Sequence, residues 1–136
     1  MLFVIDTSIA CGWLIQMQAS KYGDAVAVAL QDDRACASAL WELELTNVLR
    51  TACLRQRLTA QQAQATLAQI VSLPIDVDRQ AVPAAELLAL ALRFGLSTYD
   101  AAYLELALRL QLPVATANGP LREAALASGV GLFDPK

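Results

Sequence analysis

A chain of 136 residues, 57% hydrophobic and with a mean hydropathy of +0.45, is long enough to bury a full core without covalent staples and reads as a single domain, 1–136. Thirteen acids against ten bases give a formal net charge of −3, so no basic field draws in polyanions, and with no histidine in the chain zinc and histidine-based triads are disfavoured. Cys11, Cys36 and Cys53 are odd in number, widely spaced and lack a C-x-x-C pair; they are expected to be reduced core thiols rather than a disulfide framework.

The first element is the apolar run Leu2-Phe3-Val4-Ile5, which reads as a strand closed by Asp6, with Thr7-Ser8 opening a helix over 7–15. An opening of this kind, with no basic n-region or small-residue cleavage site, argues against a secretory signal and for a cytoplasmic protein. A helix over 21–31, a strand over 35–37 and a long helix over 39–57 come next. Thr59 and Gln62 have the spacing of a capping box and start a helix over 60–72. A strand is expected over 75–77, helices over 84–93 and 99–110, a strand over 114–116 opened by Pro113, a helix over 121–127 and a last strand over 130–133. Gly95 and Gly129 fall where helix C-caps are expected.

Short apolar strands alternating with helices predict an α/β fold with a central parallel sheet of about four to five strands flanked by helices. Glu86 and Glu105 interrupt the long apolar stretches, so no membrane span emerges. The surplus of Leu and Ala implies helix faces covered by another chain, as in an oligomer or a complex.

Three acids stand where folding alone does not ask for them. Asp6 lies at the carboxyl end of a strand, where ligands gather in open α/β sheets. Glu44, at about 100° per residue along its helix, falls among Leu40, Trp41 and Val48, whereas Glu42 points to solvent. An unpaired carboxylate in that arc is costly, and Asn47, one turn on, lies near the same face and could hold it. Asp100 shares its side of a helix with Tyr103, Leu104 and Ala107, while Glu105 and Arg109 are expected on the outer face. Each acid also has a plain structural role open to it: Asp6 as a helix cap, Asp100 in a capping box with Ser97, and Glu44 paired to a buried arginine or a hydrogen-bond network. Brought together without a cation, they would repel one another by several kcal/mol, and Mg²⁺ or Mn²⁺ is the simplest resolution.

The segments V-I-D-T-S-I-A, E-L-T-N-V-L-R, S-T-Y-D-A-A-Y-L-E-L-A and V-A-T-A-N-G-P-L, in that order, resemble the motifs of PIN-domain ribonucleases, and most closely the VapC-like toxins of bacterial type II toxin-antitoxin modules. The resemblance spans nearly the whole chain. It implies a PIN-like three-layer α/β/α fold and metal-ligating catalytic roles for Asp6, Glu44 and Asp100. It also implies contributing polar roles for Thr7 or Ser8, Asn47 and Thr98. The activity implied is Mg²⁺-dependent endoribonuclease cleavage, with Mn²⁺ also possible, leaving 5′-phosphate and 3′-hydroxyl ends on RNA. The implied partners are an antitoxin that obstructs the site and a second copy in a homodimer.

One position departs from the pattern. The family commonly has a further Asp in the last motif, and this chain has Asn118, which removes a negative charge and should weaken cation binding. A turn or cap role before Gly119-Pro120 suits Asn118 better than direct ligation. The competing reading is therefore a PIN-like scaffold that binds RNA or an antitoxin with little or no turnover. A phosphoaspartyl enzyme is disfavoured because Asp6-Thr7-Ser8 lacks a second acid two residues on, and a nucleotide-binding fold because no Gly-rich loop follows the first strand.

Overall fold

Phe3, Val4 and Ile5 are fully buried, as the strand of an α/β sheet covered on both faces must be. In the structure, a computed structural model describing residues 2–135, with Gln16 described by its backbone alone, they form β1 (Phe3–Ile5). There follow α1 (Thr7–Leu14), a 3-10 turn (Gln16–Gln18), α2 (Lys21–Ala29), β2 (Ala35–Ala37), α3 (Trp41–Leu54) and α4 (Ala60–Val71). The chain continues through β3 (Ile75–Val77), α5 (Ala84–Phe94), α6 (Thr98–Leu110), β4 (Val114–Ala115) and α7 (Gly119–Ser128).

All strand pairs are parallel and the sheet order is β3-β2-β1-β4, with Phe3 opposite Ala35 and Val4 opposite Val114. The chain steps outward from β1 to β2 to β3, then returns to lay β4 on the other side of β1. Right-handed crossovers send that return, α5 and α6, over the sheet face opposite the earlier helices, which gives the α/β/α layering. The reversal of direction also opens a crevice beyond the carboxyl ends of β1 and β4, the place where sheets of this type hold ligands.

Local sequence signals hold at the element ends. Thr59 and Gln62 form both bonds of a capping box, and Gly95 and Gly129 take the left-handed conformation at helix C-termini, φ 66° and 89°. The long helix expected over 39–57 is shorter, Trp41–Leu54, because Gln56 turns to φ 59° and the Arg57 N–H closes back on the Ala52 carbonyl.

The fifth strand expected over 130–133 does not form. Gly129 and Gly131 both have positive φ, which breaks the extended run on either side of Val130. What remains is one parallel bridge, Leu132 to Val114, with Phe133 stacked on Phe3 at 3.8 Å between ring centroids.

Two further expectations are corrected. The three cysteines are free but only half-buried. Glu105 is 8% exposed rather than on an outer face, because α5 packs along α6 and the Asp78–Gln80 turn closes over it. There Arg109 bonds the Glu105 carboxylate at 3.0 Å and that of Asp78 at 3.1 Å, which compensates the buried acid.

Candidate active site at the carboxyl ends of β1 and β4

Asp6 follows β1 directly and its backbone takes the N-cap position of α1, but its side chain makes no cap bond. The carboxylate turns into the crevice instead, 4% exposed, where Ser8 Oγ donates to Oδ1 at 2.5 Å and Thr116 Oγ1 to Oδ2 at 2.7 Å. Burial pushes the Asp6 carboxyl up to about 6; the two hydroxyl bonds pull against that rise, and the charge of Asp100 adds to it.

Asp100 occupies the first turn of α6. Ser97 caps that helix by accepting the Asp100 N–H at 3.1 Å, and Asn118 Nδ2 donates to Asp100 Oδ2 at 3.3 Å. Burial raises its pKa as well, opposed by hydrogen bonding with Ser97 and Asn118. The backbone N–H of Asn118 in turn bonds Thr116 Oγ1 at 3.0 Å. A chain of contacts thus runs from Asp6 through Thr116 and Asn118 to Asp100.

Glu44 enters from α3, half-buried as its helical position implied. Its Oε1 accepts from Tyr103 Oη at 2.7 Å and from Thr7 Oγ1 at 3.1 Å. Thr7, next to Asp6 in the chain, ties this second group of contacts to the first. Cys11 registers the same convergence: after burial, the charges of Asp6 and Glu44 push its thiol pKa up.

The remaining expected residues divide. Thr7 and Ser8 both bond the acids. Asn47 is exposed and, among the described residues, makes no hydrogen bond to Glu44, so the expectation that it holds that carboxylate is corrected; Tyr103 and Thr7 do so. Thr98 opens α6 on the rim of a neighbouring cleft of about 380 Å³ and bonds none of the three acids. Asn118 takes the cap role that its sequence suggested, its Oδ1 accepting the Leu121 N–H at 3.0 Å. Sequence reasoning missed Thr116 and Tyr103. Both lie in the quoted motifs, and a polar side chain ending an apolar strand or helix stripe was the available signal.

A hard divalent cation fits the donors, which are all oxygen, and it fits the charge balance. Among the described residues no salt bridge reaches Asp6, Glu44 or Asp100; burial disfavours the charged forms of Asp6 and Asp100, and the charge of Asp100 adds to that effect at Asp6. The side chains are not drawn into a closed ligand set: among the described residues no three His, Cys, Asp or Glu side chains group closely enough to hold a metal ion.

The family model described as PIN domain matches residues 3–126 of this chain. The crystal structure of PAE2754 from Pyrobaculum aerophilum is similar, with a TM-score of 0.69 and 21% sequence identity over 91% of this chain and 84% of that one, a likeness that bears on the fold alone. No curated protein matches the chain.

Proposed function

This chain belongs to the PIN domain family, and on that premise we propose that it is a Mg²⁺-dependent endoribonuclease, the toxin component of a type II toxin-antitoxin module. The observation that carries the reading is the set of three carboxylates near the β1/β4 crevice, Asp6 and Asp100 linked through Thr116 and Asn118 and Glu44 held by Thr7 beside Asp6, with no salt bridge to any of them among the described residues. Asp6 and Asp100 would hold Mg²⁺ or Mn²⁺, with Glu44 bound directly or through water. When bound, the ion supplies stabilisation of phosphate charge and a more acidic water.

The chain's own residues supply order. Ser8 and Thr116 each fix one oxygen of Asp6, Thr7 and Tyr103 fix one oxygen of Glu44, and Asn118 holds Asp100, so each carboxylate is oriented by partners of its own. Hydrolysis would leave 5′-phosphate and 3′-hydroxyl ends. With a net charge of −3 the chain lacks a general pull on RNA, so affinity would rest on the ion and on local arginines such as Arg55. RNA loops, whose bases are unstacked, are the fitting substrate class.

The same reading gives the protein a cytoplasmic setting, an antitoxin partner and a homodimer. Leu88 and Leu92 on α5, 55% and 76% exposed, are apolar surface that a second copy would cover. Among the described residues no helix is long and apolar enough to cross a membrane.

The test is cleavage of a mixed structured RNA pool by purified, antitoxin-free protein with Mg²⁺ or Mn²⁺, beside EDTA and Asp100→Asn controls. Cutting that both controls abolish supports the nuclease. A folded, metal-loaded protein that cuts nothing favours the second reading, a non-catalytic scaffold for RNA or antitoxin, for which the missing acid at Asn118 and the open arrangement of the three acids speak.

A further inference from the structure

Tyr103 is the largest fully buried side chain among the described residues, 1% exposed, and for packing alone a phenylalanine would serve. Its hydroxyl reaches across the fold to Glu44 Oε1 at 2.7 Å. Thr7 Oγ1 donates to that same oxygen and lies 3.2 Å from the phenol oxygen, so three oxygens from the start of α1, from α3 and from α6 close a triangle. Both donors sit on Oε1; among the described residues none donates to Oε2. A glutamate side chain is otherwise free to rotate, and two donors on one oxygen fix it. Glu44 also lines a hollow with Leu43, Asn47 and Tyr99, so the residue is not sealed inside the fold.

We propose that Tyr103 is a positioning residue: by holding Glu44 through Oε1 it leaves Oε2 as the oxygen that a divalent cation can take up. The identity of that ion rests on the nuclease reading above. Partners that orient a metal ligand are worth roughly 10–100-fold in affinity in metal sites generally, and a bond to a charged carboxylate belongs to the stronger class.

Tyr103→Phe removes the hydroxyl and keeps the ring. In Mn²⁺ titration calorimetry on RNA-free protein, with circular dichroism to check the fold, the variant should bind Mn²⁺ about tenfold more weakly than wild type. Its kcat on an RNA oligonucleotide should fall at subsaturating Mn²⁺ while KM for RNA stays put. In a Glu44→Gln background the same change should cost nothing further, because the residue acts through Glu44. Equal Mn²⁺ affinity in wild type and Tyr103→Phe overturns the proposal, as does an equal loss in both backgrounds, the mark of a packing role. Wild type that binds Mn²⁺ but cuts no RNA removes the nuclease reading and leaves the positioning role to the ratio of the two affinities. Wild type that binds no Mn²⁺ overturns both.

Discussion

Asn118 gives its two side-chain ends to different tasks: Oδ1 caps α7 by accepting the Leu121 N–H at 3.0 Å, and Nδ2 donates to Asp100 at 3.3 Å. An aspartate would cap the helix equally well but would set a carboxylate against Asp100. Asn118→Asp should therefore cost the metal-free protein about 1 kcal/mol and should gain more from saturating Mn²⁺ than wild type does. Thermal melts with and without Mn²⁺ read both effects. Equal Mn²⁺ stabilisation of the two proteins would mean that this position lies outside the cation's reach.

Asp6 predicts a pH dependence. Its folded pKa, about 6, stands above the ordinary 3.8. A group that holds its proton more tightly when folded stabilises the fold fully below the unfolded value, and that contribution is lost as pH rises through the folded one. In EDTA, wild type should lose on the order of 2 kcal/mol relative to Asp6→Asn between pH 4 and pH 7. Urea melts of both proteins at fixed ionic strength give the difference directly; a gap that does not change with pH would show that Asp6 pays no burial cost.

Arg109 is the cation of the Glu105–Asp78 cluster, and Arg109→Met would keep its aliphatic stem while leaving Glu105 buried without a partner. Removing one partner of a fully buried pair costs 3–5 kcal/mol; Arg109 is partly exposed, so about 2 kcal/mol is expected. The urea midpoint should fall while Mn²⁺ affinity stays at the wild-type value, since the cluster does not bond the three crevice acids. A drop in Mn²⁺ affinity would tie it to the site.

Thr59→Ala removes the hydroxyl that accepts the Gln62 N–H at 3.1 Å and so opens the capping box of α4. A loss of about 1 kcal/mol is expected from thermal or urea melts. An unchanged midpoint would place the start of α4 outside the cooperative unit.

The elements were legible wherever the signal is local. Periodicity located seven helices, the capping box and the C-cap glycines, and the strand bounds at 35–37 and 75–77 agree with the structure. Reading failed where glycines at 129 and 131 overrode an apolar run, and where Gln56 entered the left-handed region and stopped a helix whose polar pattern continued.

At the site, sequence by itself singled out Asp6, Glu44 and Asp100, because a carboxylate in an apolar stripe or at a strand's end is visible as a break in a periodic pattern. It could not assign their partners. Thr7 meets Tyr103 across 96 residues and Asp6 meets Thr116 across 110, and no pattern within one helix or strand encodes such pairings. Glu105 marks the same limit: one helix's periodicity says which side a residue is on, but whether that side meets water depends on what else packs there, here α5 and the turn bearing Asp78. Strand order decided the rest, since only the return of β4 to the far side of β1 places Thr116 and Asn118 beside Asp6 and Asp100.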